Sequence, residues 1–557
     1  MDFALDKSGF VAVTGGAALV TQVLLNRLQI TSPWLPLSIL TAAPALSQTI
    51  CNYLGFETPW TVLSPLITSY ALFYLILSTS VTCYRLSPLH PMYEYPGPLL
   101  ARISKFWAMW IAFSGRQHVV YKELHEKHGP FVRIGPNELS ISDPNAIPAV
   151  LGVGGLPRGR FYEVHADPDA PKNLVVLKGE EHQNRKRLWK RGMSPEALEE
   201  YSSMIAERAN LFLDRVAEIP APVDLVSWFG YFSFDCMGDM IFGGGFEMLR
   251  DGADKDELWS LIEGYFFAAT LFCHIPWIAK PLTRIPIVAR RFVKLRSFGA
   301  SFAATRVKKG SMKKDLWYHL IDEAGLEKVK PAEDSVISDG TLAIITGADT
   351  SARVLAAFFY FLLSDRVLYD RVRQEIDSVF PDGDVMLSTS KYEDLVFLDA
   401  CIMETLRLLP PVPTGGRRRV FEGMGGRVIC DRFVPEGTEI YIPPYVLQRD
   451  PKNFSPFTDE FWPDRWLQST SPTSKTDPTF VHNAAAFVAF SHGPGMCVAK
   501  NLARLEMKML VSRLLRRYDV QFAGGFDKEE WMHSLRDYFV MRPTKPLNVV
   551  FYARDSN

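Results

Sequence analysis

Three apolar stretches open the chain, Gly9 to Leu25, Pro33 to Leu54 and Pro59 to Cys83, each near the ~20 residues that a bilayer-spanning helix needs. Hydrocarbon offers the backbone no hydrogen-bond partners, so such stretches can only be helices. The third, Val62 through Leu77, is the most uniformly apolar; the second carries Pro33, Pro36, Pro44, Gln48 and Asn52. A removable signal peptide fits the first poorly, because Asp2 and Asp6 flank Lys7 where a positive region belongs. Residues 1–85 are therefore read as a membrane anchor of one to three transmembrane helices. Arg27 and Arg85 on the cytoplasmic side would place the rest of the chain in the cytosol.

Beyond Arg85 the sequence changes character. Pro88, Pro91, Pro96 and Pro98 remove N–H donors and fix φ, so residues 86–98 form a stiff hinge. Residues 99–557 follow without repeats or an internal linker and read as one large domain. The chain's 61 basic and 62 acidic residues nearly cancel, which gives no reason to expect a nucleic acid partner. Seven scattered cysteines without CxxC spacing indicate neither a disulfide framework nor a zinc knuckle.

One cysteine stands apart. Phe490-Ser491-His492-Gly493-Pro494-Gly495-Met496-Cys497 is a tight Gly/Pro-rich loop leading into an amphipathic helix, with Leu502, Leu505, Leu510 and Leu514 on its apolar face. Placed at the first residue of that helix, Cys497 would meet unpaired backbone N–H groups that favour a thiolate. Phe490 can shield the sulfur, and Gly493 and Gly495 let backbone approach a flat ligand. This loop resembles the haem-binding loop of the cytochrome P-450 family, Phe-x-x-Gly-x-basic-x-Cys-x-Gly. Two positions depart: Gly495 replaces the cation that binds a haem propionate, and Ala499 replaces a glycine.

Other motifs follow the same family order. The basic run from Gly179 to Trp189 puts His182 and Lys186 where the family holds a propionate, and one helical turn separates them. Arg418, in a strand-like Arg417-Arg418-Arg419, fits the register of a further propionate ligand, so His182, Lys186 and Arg418 are the expected substitutes for Gly495. Gly347-Ala348-Asp349-Thr350 interrupts an apolar helical run and resembles the family's oxygen-binding motif. Small residues there would leave room for a diatomic ligand, and the resemblance implies that Asp349 and Thr350 deliver protons. Glu404 and Arg407 form a Glu-x-x-Arg pair, and Arg465 in Phe461-Trp462-Pro463-Asp464-Arg465-Trp466 would complete a structural ion triad.

The resemblance, strongest to membrane-bound fungal members, implies a mainly α fold: a helical triangular prism with small β-sheets behind N-terminal transmembrane helices. It implies haem b with Cys497 as axial thiolate, O2 as co-substrate and NADPH-cytochrome reductase as electron donor. It further implies membrane lipid as a partner, the endoplasmic reticulum membrane as location, and an apolar substrate, plausibly a terpenoid or other secondary metabolite. An oxygen-independent haem-thiolate isomerase is the nearest rival, and Asp349-Thr350 argues against it. Selectivity is expected in 156–176, in an apolar lid about Gly264 to Ile287, after Pro413 and near Asp537-Tyr538-Phe539.

Overall fold

The structure, a computed structural model, describes every residue except 1, 28–33, 60–62, 160, 165–170, 245, 276–284, 311–312, 472–476 and 555–557. Val62 of the third apolar stretch and lid residues Pro276 and Trp277 thus lie outside the described residues.

Helices α1 (Asp2–Arg27), α2 (Trp34–Tyr53) and α3 (Pro65–Leu86) pack together through Phe10, Cys51 and Leu72, apart from the main core. Spans apolar and long enough to cross a bilayer occur in α1, Lys7–Asn26, and in α3, Pro65–Leu86. In α2 the ring of Pro44 deprives Leu40 O of its helical donor. Tyr74 Oη of α3 donates to that carbonyl at 3.1 Å, and Ser69 Oγ donates to Pro44 O at 2.8 Å. A neighbouring helix thus completes the broken ladder. Ser64 caps the start of α3, and residues 87–98 follow as turns and extended backbone.

The remainder is mainly helical. The helices that carry the site and its supports are α4 (Gln117–His128), α5 (Gly179–Arg191), α6 (Leu225–Phe242), α7 (Leu258–Phe272), α8 (Glu333–Ser364), α9 (Val396–Leu408) and α10 (Lys500–Arg517). Charge suits the ends of α5, with Glu180 and Glu181 in its first turn and Lys190 and Arg191 in its last. Asp224 caps α6 through Val226 N and Ser227 N. At 32 residues, α8 is about 48 Å long. Composition alone would let it cross a membrane, but 72% of its apolar window is buried in protein, so it is the central beam of the core.

Glycines let α6 lie close against α8. A Cβ on Gly347 would stand 2.8 Å from Met237 Sδ, and one on Gly340 would stand 2.9 Å from Ile241 Cγ2. This corrects the expectation for Gly347: the space it frees is filled by Met237 of α6.

The largest sheet has the order β1-β2-β4-β3, with β1 (Phe131–Gly135), β2 (Glu138–Ile141), β3 (Arg418–Arg419) and β4 (Glu439–Tyr441). β1 and β2 form the expected antiparallel hairpin, and β4 pairs parallel to β2. Edge strand β3 sets Arg418 opposite Ile440 and also bridges Arg158. Near the C-terminus β5 (Leu535–Tyr538) and β6 (Val540–Pro543) form a hairpin turned at Phe539.

Candidate active site

The cysteine loop is held from both sides. Before it, Val488 N donates to Gln448 Oε1 at 3.0 Å. Within it, Cys497 N donates to Phe490 O at 2.9 Å and Met496 N to Gly493 O at 3.0 Å. Gly493 has φ 63°, and a Cβ there would lie 2.5 Å from Leu151 O. Both the left-handed backbone and the close approach to residue 151 demand glycine.

Helix α10 starts at Lys500, with Ala499 as its N-cap residue, so Cys497 precedes the helix instead of forming its first residue. The favourable end of the helix still reaches it, because Ala499 N–H bonds the sulfur. Burial pushes the Cys497 thiol up, while that N–H, Lys186 and Lys500 pull it down. Water-sized contact reaches Cys497, whereas the other cysteines of residues 99–557 are buried or half-buried. An accessible sulfur that the surrounding protein nevertheless desolvates lies in a recess.

Basic groups from three segments gather at this recess. Arg418 Nη2 lies 2.5 Å from where a Cβ on Gly495 would be, so its guanidinium occupies the place of the missing cation. Arg158, bridged to Arg418 through the backbone, donates to Leu174 O at 3.0 Å. His182 is pushed down to about 4 by burial, then by Arg158, Lys186 and Arg418. Lys186 is not aimed beside His182 at a shared point; its Nζ donates to Pro494 O and, at 3.5 Å, to Met496 O, tying α5 to the loop. None of these four groups pairs with an acid among the described residues, and buried Arg418 Nε has no hydrogen-bond partner. Concentrated positive charge with an orphaned guanidinium N–H, beside an accessible thiol, fits a metal macrocycle that carries two carboxylates.

The ion triad forms as the spacing implies. Arg407 grips Glu404 with two bonds, Nε to Oε2 at 2.8 Å and Nη2 to Oε1 at 2.9 Å, and Arg465 Nε adds a third at 3.2 Å. All three side chains have 0% exposure. Backbone carbonyls of Gln448, Thr458 and Glu460 accept from Arg407, and those of Pro456 and Phe457 accept from Arg465. Trp466 Nε1 donates to Glu404 Oε2 at 3.0 Å, so the tryptophan contributes a bond. Gln448 then links triad to loop: its Nε2 donates to Leu406 O and Arg407 O while its Oε1 holds Val488 N.

On α8, Thr350 Oγ1 donates to Thr346 O at 2.6 Å. Thr346, one turn before Thr350, is exposed on the same face of α8. Asp349 is buried, and burial raises its carboxyl above the usual range although Arg353 Nε bonds Oδ1 at 3.0 Å. Behind this pair, Glu506 of α10 is buried near Ser233 and Ser351, and burial pushes its carboxyl up to about 8.

Sequence reasoning missed Arg158, Gln448, Arg353 and Glu506. Two carried a signal: Arg353 stands one turn beyond Asp349, and Glu506 falls among the apolar positions of α10.

A mainly helical domain around one central beam, with a recessed cysteine and unpaired cations, defines a haem-thiolate type of protein. The comparisons agree: the cytochrome P450 family matches residues 96–551, and the chain belongs to that family. Cytochrome P450 67 of Uromyces fabae is 32% identical over 86% of this chain and 88% of its own length. Cytochrome P450 monooxygenase orf5 of Eupenicillium brefeldianum is 30% identical over 86% of this chain and 95% of its own. Tryprostatin B 6-hydroxylase of Aspergillus fumigatus is 29% identical over 84% and 82% respectively.

Proposed function

We propose that this family member is a membrane-anchored monooxygenase that puts one atom of O2 into an apolar small molecule, a terpenoid or other secondary metabolite, by hydroxylation or epoxidation. Residues 1–85 serve as the anchor, 86–98 as the hinge and 99–557 as the catalytic domain, which faces the cytosol from the endoplasmic reticulum membrane. Electrons come from NADPH through a separate NADPH-cytochrome reductase. The observation that carries this reading is the recessed, accessible Cys497 beside Arg158, His182, Lys186 and Arg418. A relative named tryprostatin B 6-hydroxylase supports hydroxylation as the reaction.

When bound, haem b supplies an iron whose thiolate ligand favours O–O cleavage. Cys497 Sγ would be the sulfur that holds this iron, and the Ala499 N–H beside it favours the thiolate. Arg418, Arg158 and His182 would hold the haem carboxylates, Lys186 keeps the loop against α5, and Phe490 and Gly493 shape the loop. Asp349 holds a proton at its carboxyl more readily than an exposed acid, since burial disfavours its charge. Thr350 Oγ1, on the adjacent residue, presents the proton to the oxygen substrate. Glu404, Arg407 and Arg465 position the loop without touching the substrate.

The test is incubation of the holoprotein with reductase, NADPH, isotopically heavy O2 and a terpenoid panel, followed by mass spectrometry. One heavy oxygen per product molecule is expected. Product oxygen drawn from solvent, or product formed without O2, would overturn the reading.

A further inference from the structure

Asp349 does not end at its partner arginine. Arg353 Nε bonds Asp349 Oδ1 at 3.0 Å, while Arg353 Nη2 bonds Glu263 Oε1 of α7 at 2.8 Å. Glu263 also accepts from Trp259 Nε1 at 2.8 Å and meets Arg542 Nη1 of β6 at 3.2 Å. The Trp259 ring lies 4.5 Å from the Arg353 guanidinium. Side-chain exposure rises along this chain, from 6% at Asp349 and 4% at Arg353 to 31% at Glu263. One end is thus sealed in the core, and the other is at the edge of the helix that leads into the expected lid.

The same helix carries Phe266, which stacks on Phe539 at 5.8 Å; Phe539 in turn stacks on Phe161 at 4.9 Å. Three segments expected to select substrate therefore meet on α7, one turn from Glu263. Phe266 lies three residues from Glu263 on α7, so a shift of that helix moves ring and carboxylate together.

We propose that Arg353 is a positioning residue that couples the acid Asp349 to the placement of α7, so that substrate entry among the rings resets the acid. The proposal rests on the monooxygenase reading. Coupling works through charge as well as geometry. Among the groups facing Asp349, Arg353 of α8 and Arg542 of β6 favour its ionised form, and Glu263 of α7 opposes it. Glu506 of α10 lies near Ser351, two residues along, and stays outside the chain of ion pairs.

The test uses full-length holoprotein with reductase, and reads two things: the pH limb of NADPH oxidation and hydrogen–deuterium exchange of residues 258–272. Whichever protonation state of Asp349 turnover needs, the limb follows its pKa. Arg353→Gln removes the favouring cation and should raise the limb by about one pH unit. Glu263→Gln removes the opposing charge and should lower it. Both should speed exchange of α7 several-fold, and Arg353→Lys, which keeps the charge, should leave the limb near that of the unsubstituted protein. Limb shifts of one sign, no shifts, or unchanged exchange overturn the proposal. If Arg353→Gln does not fold, the downward shift from Glu263→Gln and the Lys rescue still decide. The red-shifted carbon monoxide band of the unsubstituted protein is the separate control: its loss sinks the monooxygenase reading, its presence with unmoved limbs sinks this one alone.

Discussion

Two clusters in this protein each join carboxylate to arginine, and they are built for opposite purposes. Around Glu404, every side chain is sealed, and the bonds left over on Arg407 and Arg465 go to five backbone carbonyls. Around Asp349, the bonds run side chain to side chain toward a half-exposed Glu263. Backbone partners cannot leave without unfolding; side-chain partners can. The first cluster is a rivet under the cysteine loop, and the second is a linkage that can open.

Breaking the rivet should have the largest effect. Glu404→Ala or Arg407→Ala leaves buried charge unpaired at about 3–5 kcal/mol, so either variant should purify as apoprotein or not at all. Haem content by absorbance measures this, and full loading would contradict the assignment. Asp349→Asn should do the reverse, keeping haem content while slowing product formation about a hundredfold. A parallel loss of haem would erase the distinction between the clusters. Arg418→Ala should weaken haem retention about tenfold or more, as expected for a charge-assisted bond of ~1.5–3 kcal/mol. Transfer to an excess of haem acceptor reads that rate, and unchanged retention would show that Arg418 does not replace a cation at 495.

Glu506 lies outside both clusters and bears on the pH dependence of stability alone. Its folded carboxyl holds a proton up to about 8, whereas an unfolded chain releases it near the ordinary glutamate value. The associated stability is therefore full below the unfolded value and falls as pH rises toward 8, by at most about 1.4 kcal/mol per pH unit. Glu506→Gln should flatten the dependence in denaturant titrations across that range. An equally steep slope in the variant would place the titrating group elsewhere.

What the sequence disclosed was mostly local. Cys497 in its loop, Glu404 with Arg407, and Asp349 with Thr350 are short-range patterns, because helix periodicity and turn chemistry act over a few residues. Arg418 could be nominated only through family register, and its reason became visible when its guanidinium was found filling the space beside Gly495. Residues that act across the fold were invisible: Arg158 meets Arg418 through a strand bridge, and Gln448 ties α9 to Val488. Glycine identity was legible but its cause was not, since Gly347 serves Met237 and Gly493 serves the backbone at Leu151. Pro44 made the second apolar stretch look like a poor helix, because its rescue by Tyr74 comes from another helix.

Every role assigned above depends on sulfur ligation by Cys497, and the spectrum of the reduced, carbon monoxide-bound protein read against that of the reduced protein decides it. A strongly red-shifted Soret band in the unsubstituted protein, absent from Cys497→Ser, is the predicted result. An unshifted band in the unsubstituted protein, or a shifted one that survives the serine, would contradict it.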